Sequence, residues 1–180
     1  MRELKDKIIA ITGGATGIGF ALAKSFGKDG AKIVIGEPRE AERKKAVKEL
    51  KNLDIEANET HLDVTDLESV KNFANFTCKS FGRVDILINN AGISGARGRI
   101  DKVDIDKAKK VFDVNFFGVW QGCAVFSKKM IEQGTESAIY NVGSENSLFV
   151  AVPNSVAYVA SKHAVLGLSE SLRNDLPDFI

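Results

Sequence analysis

The run Thr12-Gly13-Gly14-Ala15-Thr16-Gly17-Ile18-Gly19 decides how the rest of the chain is read. Before it, residues 7–12 (Lys7, Ile8, Ile9, Ala10, Ile11, Thr12) make a short apolar run without polar alternation, the pattern of a parallel strand buried on both faces. After it, residues 17–28 place Ile18, Leu22 and Phe26 on one side of a helix. Glycines between a buried strand and a helix let the backbone turn sharply and approach a ligand closely. The helix N-terminus then offers free N–H groups and the positive end of a dipole to phosphates. The spacing Gly13, Gly17, Gly19 is not the G-x-G-x-x-G fingerprint. A P-loop fits worse, because Phe20 stands where that motif needs its lysine. A tight turn without a ligand is the alternative reading of the glycines alone.

Working outward, short apolar runs alternate with longer amphipathic stretches. Strands are predicted at residues 31–36, 55–62 (more polar, suiting an edge), 84–89 and 137–142. Helices are predicted at 39–51, at 66–81 with Leu67, Val70, Phe73 and Ala74 on one face, at 104–131 as one long helix, and at 154–172. Unbroken strand–helix alternation implies a parallel sheet covered on both faces, and right-handed crossovers make the doubly wound Rossmann layout the default for this α/β chain. No repeat, low-complexity tract or long linker divides residues 1–180, so a single nucleotide-binding and catalytic domain is expected. The loop at residues 92–100 is the most flexible-looking segment.

Composition narrows the function. Twenty-five basic and 24 acidic residues give a net charge of +1, which offers no pull toward nucleic acid or an anionic membrane. No apolar run approaches the roughly 20 residues of a membrane span. The charged N-terminus does not read as a signal peptide, so a cytoplasmic protein is expected. Cys78 and Cys123 are far apart, as are His61 and His163, so no metal site is expected.

The second strand ends at Gly36-Glu37. In a Rossmann unit an acid about 20 residues past the glycines accepts hydrogen bonds from the adenosine ribose hydroxyls. Its charge repels a 2′-phosphate, so Glu37 favours NAD, while Arg39 could pair with that phosphate and keeps NADP open. Further on, Tyr158 and Lys162 lie four residues apart on one helix face. A phenol titrates near 10 in water, and a fixed ammonium beside it stabilises the phenolate and makes it a usable proton acceptor.

Taken together these residues resemble the short-chain dehydrogenase/reductase family over essentially the whole chain. The matching pieces come in family order: the glycine turn, Asp63-Val64, Asn89-Asn90-Ala91-Gly92, Asn115, Ser144, and Tyr158-Val159-Ala160-Ser161-Lys162. The resemblance implies an NAD(P)-dependent oxidoreductase that interconverts an alcohol and a carbonyl by hydride transfer. It makes Tyr158 the general acid/base and gives Lys162 the tasks of lowering the phenol pKa and holding the nicotinamide ribose. Ser144 would bond the substrate oxygen, and Asn115 would kink its helix and hold a water in a proton relay to Lys162. The cofactor would meet Gly13, Thr16, Gly17, Ile18, Gly19, Glu37, Asp63, Val64, Asn90, Ala91 and Gly92, together with Tyr158 and Lys162. The family also implies a homodimer or homotetramer packed through the long helix, with Val111, Phe112, Phe116, Val119 and Trp120 as apolar positions that serve an interface or a core equally well.

The sequence departs from the family in two places. Ser144 to Tyr158 is one residue longer than the family pattern, and Ser147 and Ser155 are rivals for Ser144. The chain also stops at Ile180, short of the family's last strands and substrate loop, which would leave the fifth strand as a long apolar edge. The apolar stretch 148–153 points to an apolar alcohol or ketone as substrate. The rival functions are a non-catalytic dinucleotide-binding protein or fragment, and a Rossmann methyltransferase, which has no use for the Tyr158/Lys162 pair.

Overall fold

The computed structural model describes residues 3–149 and 152–180. Five parallel strands, β1 (Ile8–Thr12), β2 (Lys32–Gly36), β3 (Ala57–Thr60), β4 (Ile86–Asn89) and β5 (Ala138–Asn141), lie in the order β3-β2-β1-β4-β5. Every neighbouring pair is parallel, so each return passes through a crossover. The chain runs outward from β1 to β3, then restarts at β4 on the other side. That reversal places a topological switch point between β1 and β4, and a crevice opens there at the carboxyl ends of the strands. The architecture is the doubly wound α/β layout that the strand–helix alternation predicts.

Side-chain alternation along the central strands feeds two cores. Ile9, Ile11, Ile33, Ile35, Ile86 and Ile88 point to one face, under α1 (Gly17–Lys28) and α2 (Glu40–Lys51). Ala10, Val34 and Leu87 point to the other, under α3 (Leu67–Phe81) and α5 (Gly118–Gln133). There Phe73 of α3 meets Phe126 of α5 with ring centroids 5.6 Å apart. On the last strand's side, α6 (Val156–Asp175) packs Val165 against Val119 and Cys123.

Four expectations are revised. Helix α1 does not bury Ile18, Leu22 and Phe26 as a face. Its buried residues are Gly19, Ala23 and Gly27, with Leu22 and Phe26 packed at the flanks and Ile18 exposed. Small residues win because the helix lies very close to its neighbours: a Cβ on Gly27 would stand 2.3 Å from Ile55 Cγ2. In α3, Leu67 of the expected apolar face is exposed, while Val70, Phe73 and Ala74 are buried. The long helix is three pieces, α4 (Ile105–Phe112), a π-helical turn (Asp113–Phe117) and α5, so it is continuous but not regular. Finally, β5 is not a long apolar edge. It has four residues, all at least partly exposed, and Tyr140 points outward.

Candidate active site

A cleft of about 660 Å³ runs along the carboxyl ends of the strands. Its floor begins at the glycine turn. Gly13 and Gly17 take positive φ (62° and 54°), which L side chains rarely adopt. Nothing lies within 4 Å of where a Cβ on Gly17 would be, so that face is open. Gly19 is the opposite case: a Cβ there would stand 2.4 Å from the Gly13 carbonyl oxygen and 2.5 Å from Asn90 Nδ2. Gly19 therefore closes the turn from behind and does not line the cleft.

Among the described residues, α1 and α6 start with neither a side-chain cap nor an acid in the first turn, whereas α2, α3 and α4 carry one or both. Asp66 caps α3 by accepting from Glu68 N–H, and Asp104 caps α4 by accepting from Asp106 and Lys107 N–H. Both helices also carry an acid in the first turn. Helix α1 has neither: Thr16 makes no side-chain cap and the first turn holds no acid. Its orphan N–H groups and positive dipole end face the cleft uncompensated, which is the chemistry a pyrophosphate requires.

Asn90 and Ala91 are stapled to β1. Thr12 Oγ1 accepts from both backbone N–H groups at 3.0 Å, and Asn90 Nδ2 donates to the Thr12 and Gly13 carbonyls at 3.0 Å. Thr12 is thus a positioning residue at the switch point, and a buried hydroxyl ending an apolar strand is its signal. At the end of β2, Glu37 is buried and paired with Arg39, whose Nε lies 2.8 Å from Oε1. At the end of β3, Asp63 accepts from Thr65 N–H and Oγ1, which holds its carboxyl below the ordinary range, and Val64 is buried beside it.

Across the cleft, Tyr158 and Lys162 sit one turn apart on α6 and both line the wall. Lys162 is buried, and its Nζ donates to the Val142 carbonyl at 2.7 Å. Burial lowers its pKa from the usual lysine range, and no carboxylate pairs with it among the described residues. Asn115 lies in the π turn with both amide hydrogens used: Oδ1 accepts from Ile93 N–H at 2.8 Å, and Nδ2 donates to the Ile93 carbonyl and to Ser161 Oγ. The π turn shifts the backbone around it out of the regular i→i−4 ladder.

Ser144 stands at the tip of β5, half-buried, and caps the 3₁₀ turn Glu145–Ser147 by accepting from Asn146 N–H at 3.2 Å. Neither it nor Asn115 lines the cleft itself. Of its rivals, Ser147 is buried with an unpartnered Oγ, and Ser155 precedes α6. The cleft also takes in Leu62, Ile93, Ser94, Val114, Val142 and Gly143. All but Val114, which lies in the π turn, come from loop residues next to the motifs, where apolar patterning carries no signal. In the stretch 148–153, Leu148, Phe149 and Val152 are exposed, and Val150 and Ala151 lie outside the described residues.

Among the described residues no cluster of His, Cys, Asp or Glu could hold a metal ion, and no helix is long and apolar enough to cross a membrane. Cys123 is buried and Cys78 half-buried, both as free thiols.

Comparison with known proteins agrees with this geometry. A family model described as short chain dehydrogenase matches residues 7–179. Short chain aldehyde dehydrogenase 1 of Euphorbia lathyris is 36% identical over 97% of this chain and 60% of its own length. Zerumbone synthase of Zingiber zerumbet is 36% identical over 97% of this chain and 64% of its own. A short chain dehydrogenase/reductase of Burkholderia phymatum, solved in complex with NAD, superposes with a TM-score of 0.93 at 34% identity, covering 98% of this chain and 62% of that one. The chain therefore spans under two thirds of the length of these relatives.

Proposed function

The chain belongs to the short chain dehydrogenase family, and from that premise we propose that it carries the nucleotide-binding and catalytic part of an NAD(P)-dependent oxidoreductase interconverting an alcohol and a carbonyl. The observation that carries this reading is the shared cleft: Tyr158 and Lys162 line the same walls as the uncapped start of α1, Glu37 and Asp63. A bound nicotinamide cofactor supplies the hydride donor or acceptor.

The residues present fit such a group. The open side of Gly17 and the bare N-terminus of α1 take the pyrophosphate. Glu37 and Arg39 face the adenosine ribose, and Asp63 with Val64 bounds the adenine. Tyr158 exchanges a proton with the substrate oxygen. Lys162 brings a positive charge to the same helix face as Tyr158. Its bond to the Val142 carbonyl fixes that charge without neutralising it, as a carboxylate partner would. Ser144 offers its O–H to the substrate oxygen from beyond the tip of β5 while its oxygen accepts from the Asn146 backbone and side-chain N–H groups. Asn115 ties the loop at Ile93 to Ser161 on α6 and so sets the width of the cleft.

Exposed Leu148, Phe149 and Val152 beside the catalytic end support an apolar alcohol or ketone as substrate. For assembly, Val111 and Val119 are core residues, whereas Phe117 and Trp120 are half exposed and edge-stack on Phe116. That aromatic face supports a homo-oligomer through α5. Two free thiols fit the reducing cytoplasm.

The test is a titration with NADH and NADPH followed by a screen of alcohols with NAD(P)+ and of ketones with NAD(P)H, on the wild type and Tyr158→Phe. Saturable binding by both proteins, with turnover only in the wild type, is expected. Binding without turnover of any substrate would favour a non-catalytic nucleotide binder, and binding of neither nucleotide would refute the reading.

A further inference from the structure

The hydroxyl of Ser144 is set by a near neighbour. Its Oγ accepts two hydrogen bonds, both from Asn146: one from the backbone N–H and one from Nδ2, each at 3.2 Å. A hydroxyl oxygen has two lone pairs and one hydrogen. Asn146 therefore fills both acceptor sites and leaves the O–H as the one thing Ser144 has to offer. Among the described residues nothing accepts that hydrogen. Gly143, the residue before, lines the cleft.

The direction of the Asn146 amide follows from the same count. Its Oδ1 is buried without a partner. Turning the amide over would put Nδ2 and its two hydrogens in that place instead. An orphaned buried N–H is rarer than an under-satisfied carbonyl oxygen, so nitrogen stays on Ser144. The backbone holds the arrangement as well. Asn146 lies in the 3₁₀ turn Glu145–Ser147, and Ser147 N–H donates back to the Ser144 carbonyl at 2.9 Å.

We propose that Asn146 is a positioning residue that fixes the polarity of Ser144: it makes the hydroxyl a donor and closes it as an acceptor. The proposal rests on the reading of Ser144 and Tyr158 as the groups that meet the substrate oxygen. A preset donor suits a carbonyl oxygen and the negative charge that grows on it. An alcohol has a hydrogen of its own to place. With Ser144 closed to it, that hydrogen goes to Tyr158. The alcohol O–H bond breaks and a phenol O–H bond forms, while hydride leaves the carbon for the nicotinamide.

Steady-state oxidation of cyclohexanol and other apolar secondary alcohols with NAD(P)+ tests this, with an NADH titration of every variant. Asn146→Asp keeps the shape but only accepts. It should draw the Ser144 hydrogen to itself and lower kcat about 100-fold, the loss expected when a donor to a developing oxyanion is removed. Asn146→Ala leaves the backbone N–H in place and should lower kcat about 3–10-fold. In a Ser144→Ala background, Asn146→Ala should change kcat by less than about twofold, because the hydroxyl through which it acts is gone. The Kd for NADH should stay within about twofold of wild type throughout. A merely structural asparagine would cost as much without Ser144 as with it, and its alanine variant would be no milder than its aspartate variant. Either result would overturn the proposal and leave the active site standing. If Asn146→Asp alone loses NADH, the Asn146→Ala pair decides. A wild type that binds NADH and oxidises none of the alcohols would overturn the catalytic reading, and this proposal with it.

Discussion

The two ends of the cleft are built differently. At the nucleotide end, β1 is buried at every residue, Glu37 is buried and Gly19 is wedged against Gly13 and Asn90. At the catalytic end, no residue of β5 is buried, Ser144 is half-exposed, and a Cβ on Gly143 would meet nothing within 4 Å. One end is held by close packing on all sides. The other is held by a few polar ties: Lys162 to the Val142 carbonyl, Asn89 Nδ2 to Asn141 Oδ1 at 2.9 Å, and Asn141 Nδ2 to Ser169 Oγ at 3.0 Å. Packing tolerates no added volume, whereas polar ties tolerate volume but not loss of a partner.

That contrast can be broken first with glycines. Gly19→Ala is expected to abolish nucleotide binding and cost about 1–3 kcal/mol in a denaturant titration, because the Gly13 backbone and an Asn90 amide held by two carbonyls stand in the way. Gly143→Ala should stay within about 0.5 kcal/mol of wild type. Equal effects would erase the distinction between the two ends.

Cutting a tie at the catalytic end should come next in size. Asn141→Leu removes the acceptor of Asn89 and the donor to Ser169, and is expected to cost about 1–3 kcal/mol while leaving NADH binding within about threefold of wild type. A large loss of nucleotide affinity would show the ends to be coupled.

Lys162 gives a smaller, pH-dependent signature. Its folded pKa lies below the unfolded value, so between the two the unfolded chain binds more protons and stability rises with pH. The cost of the buried ammonium is present in full below the folded pKa and is relieved as pH climbs toward the ordinary lysine value of 10.5. Lys162→Met should flatten that rise in urea midpoints measured from pH 8 to 10.5; an unchanged slope would refute the assignment.

The finest probe is Cys123. Burial pushes its thiol up to about 11, and it touches both Asn89 and Asn141. At pH 8 half-buried Cys78 should react with a thiol reagent first, and Cys123 only as fast as the region around β5 opens. Equal rates for the two thiols would show that this end opens freely.

The nucleotide end was also the more legible in the sequence, for the same reason. Buried parallel strands write themselves as unbroken apolar runs, and a glycine that cannot carry a Cβ marks its own position, so β1, β2 and the turn between β1 and α1 are readable. The Tyr158 to Lys162 spacing was legible because helix geometry alone puts both on one side. What was not legible depends on partners far along the chain. Thr12 reads as a strand end, and only the fold brings the Asn90 and Ala91 N–H groups onto its hydroxyl. Ile18 shares a predicted helix side with Leu22 and Phe26 but is exposed in the cleft wall, because α1 packs through Gly19, Ala23 and Gly27. Apolar periodicity could show a helix over 104–131 but not the π turn inside it, since one extra residue per turn barely disturbs a pattern of buried positions.

That π turn has a consequence for how the chain can change. It holds one residue more than an α turn, and each residue of an α-helix advances the helix by about 100°. Deleting a single residue among Asp113–Phe117 would let the backbone settle into regular α-helix while keeping the segments on either side in phase, because the wide turn already spreads its extra residue over one turn. Gly122, whose missing side chain makes room for Asn89, would keep its place against that amide. The turn acts as a phase joint: it takes up one residue beyond what an α turn holds, and it could give that residue back without any rewriting of the inward face of α5.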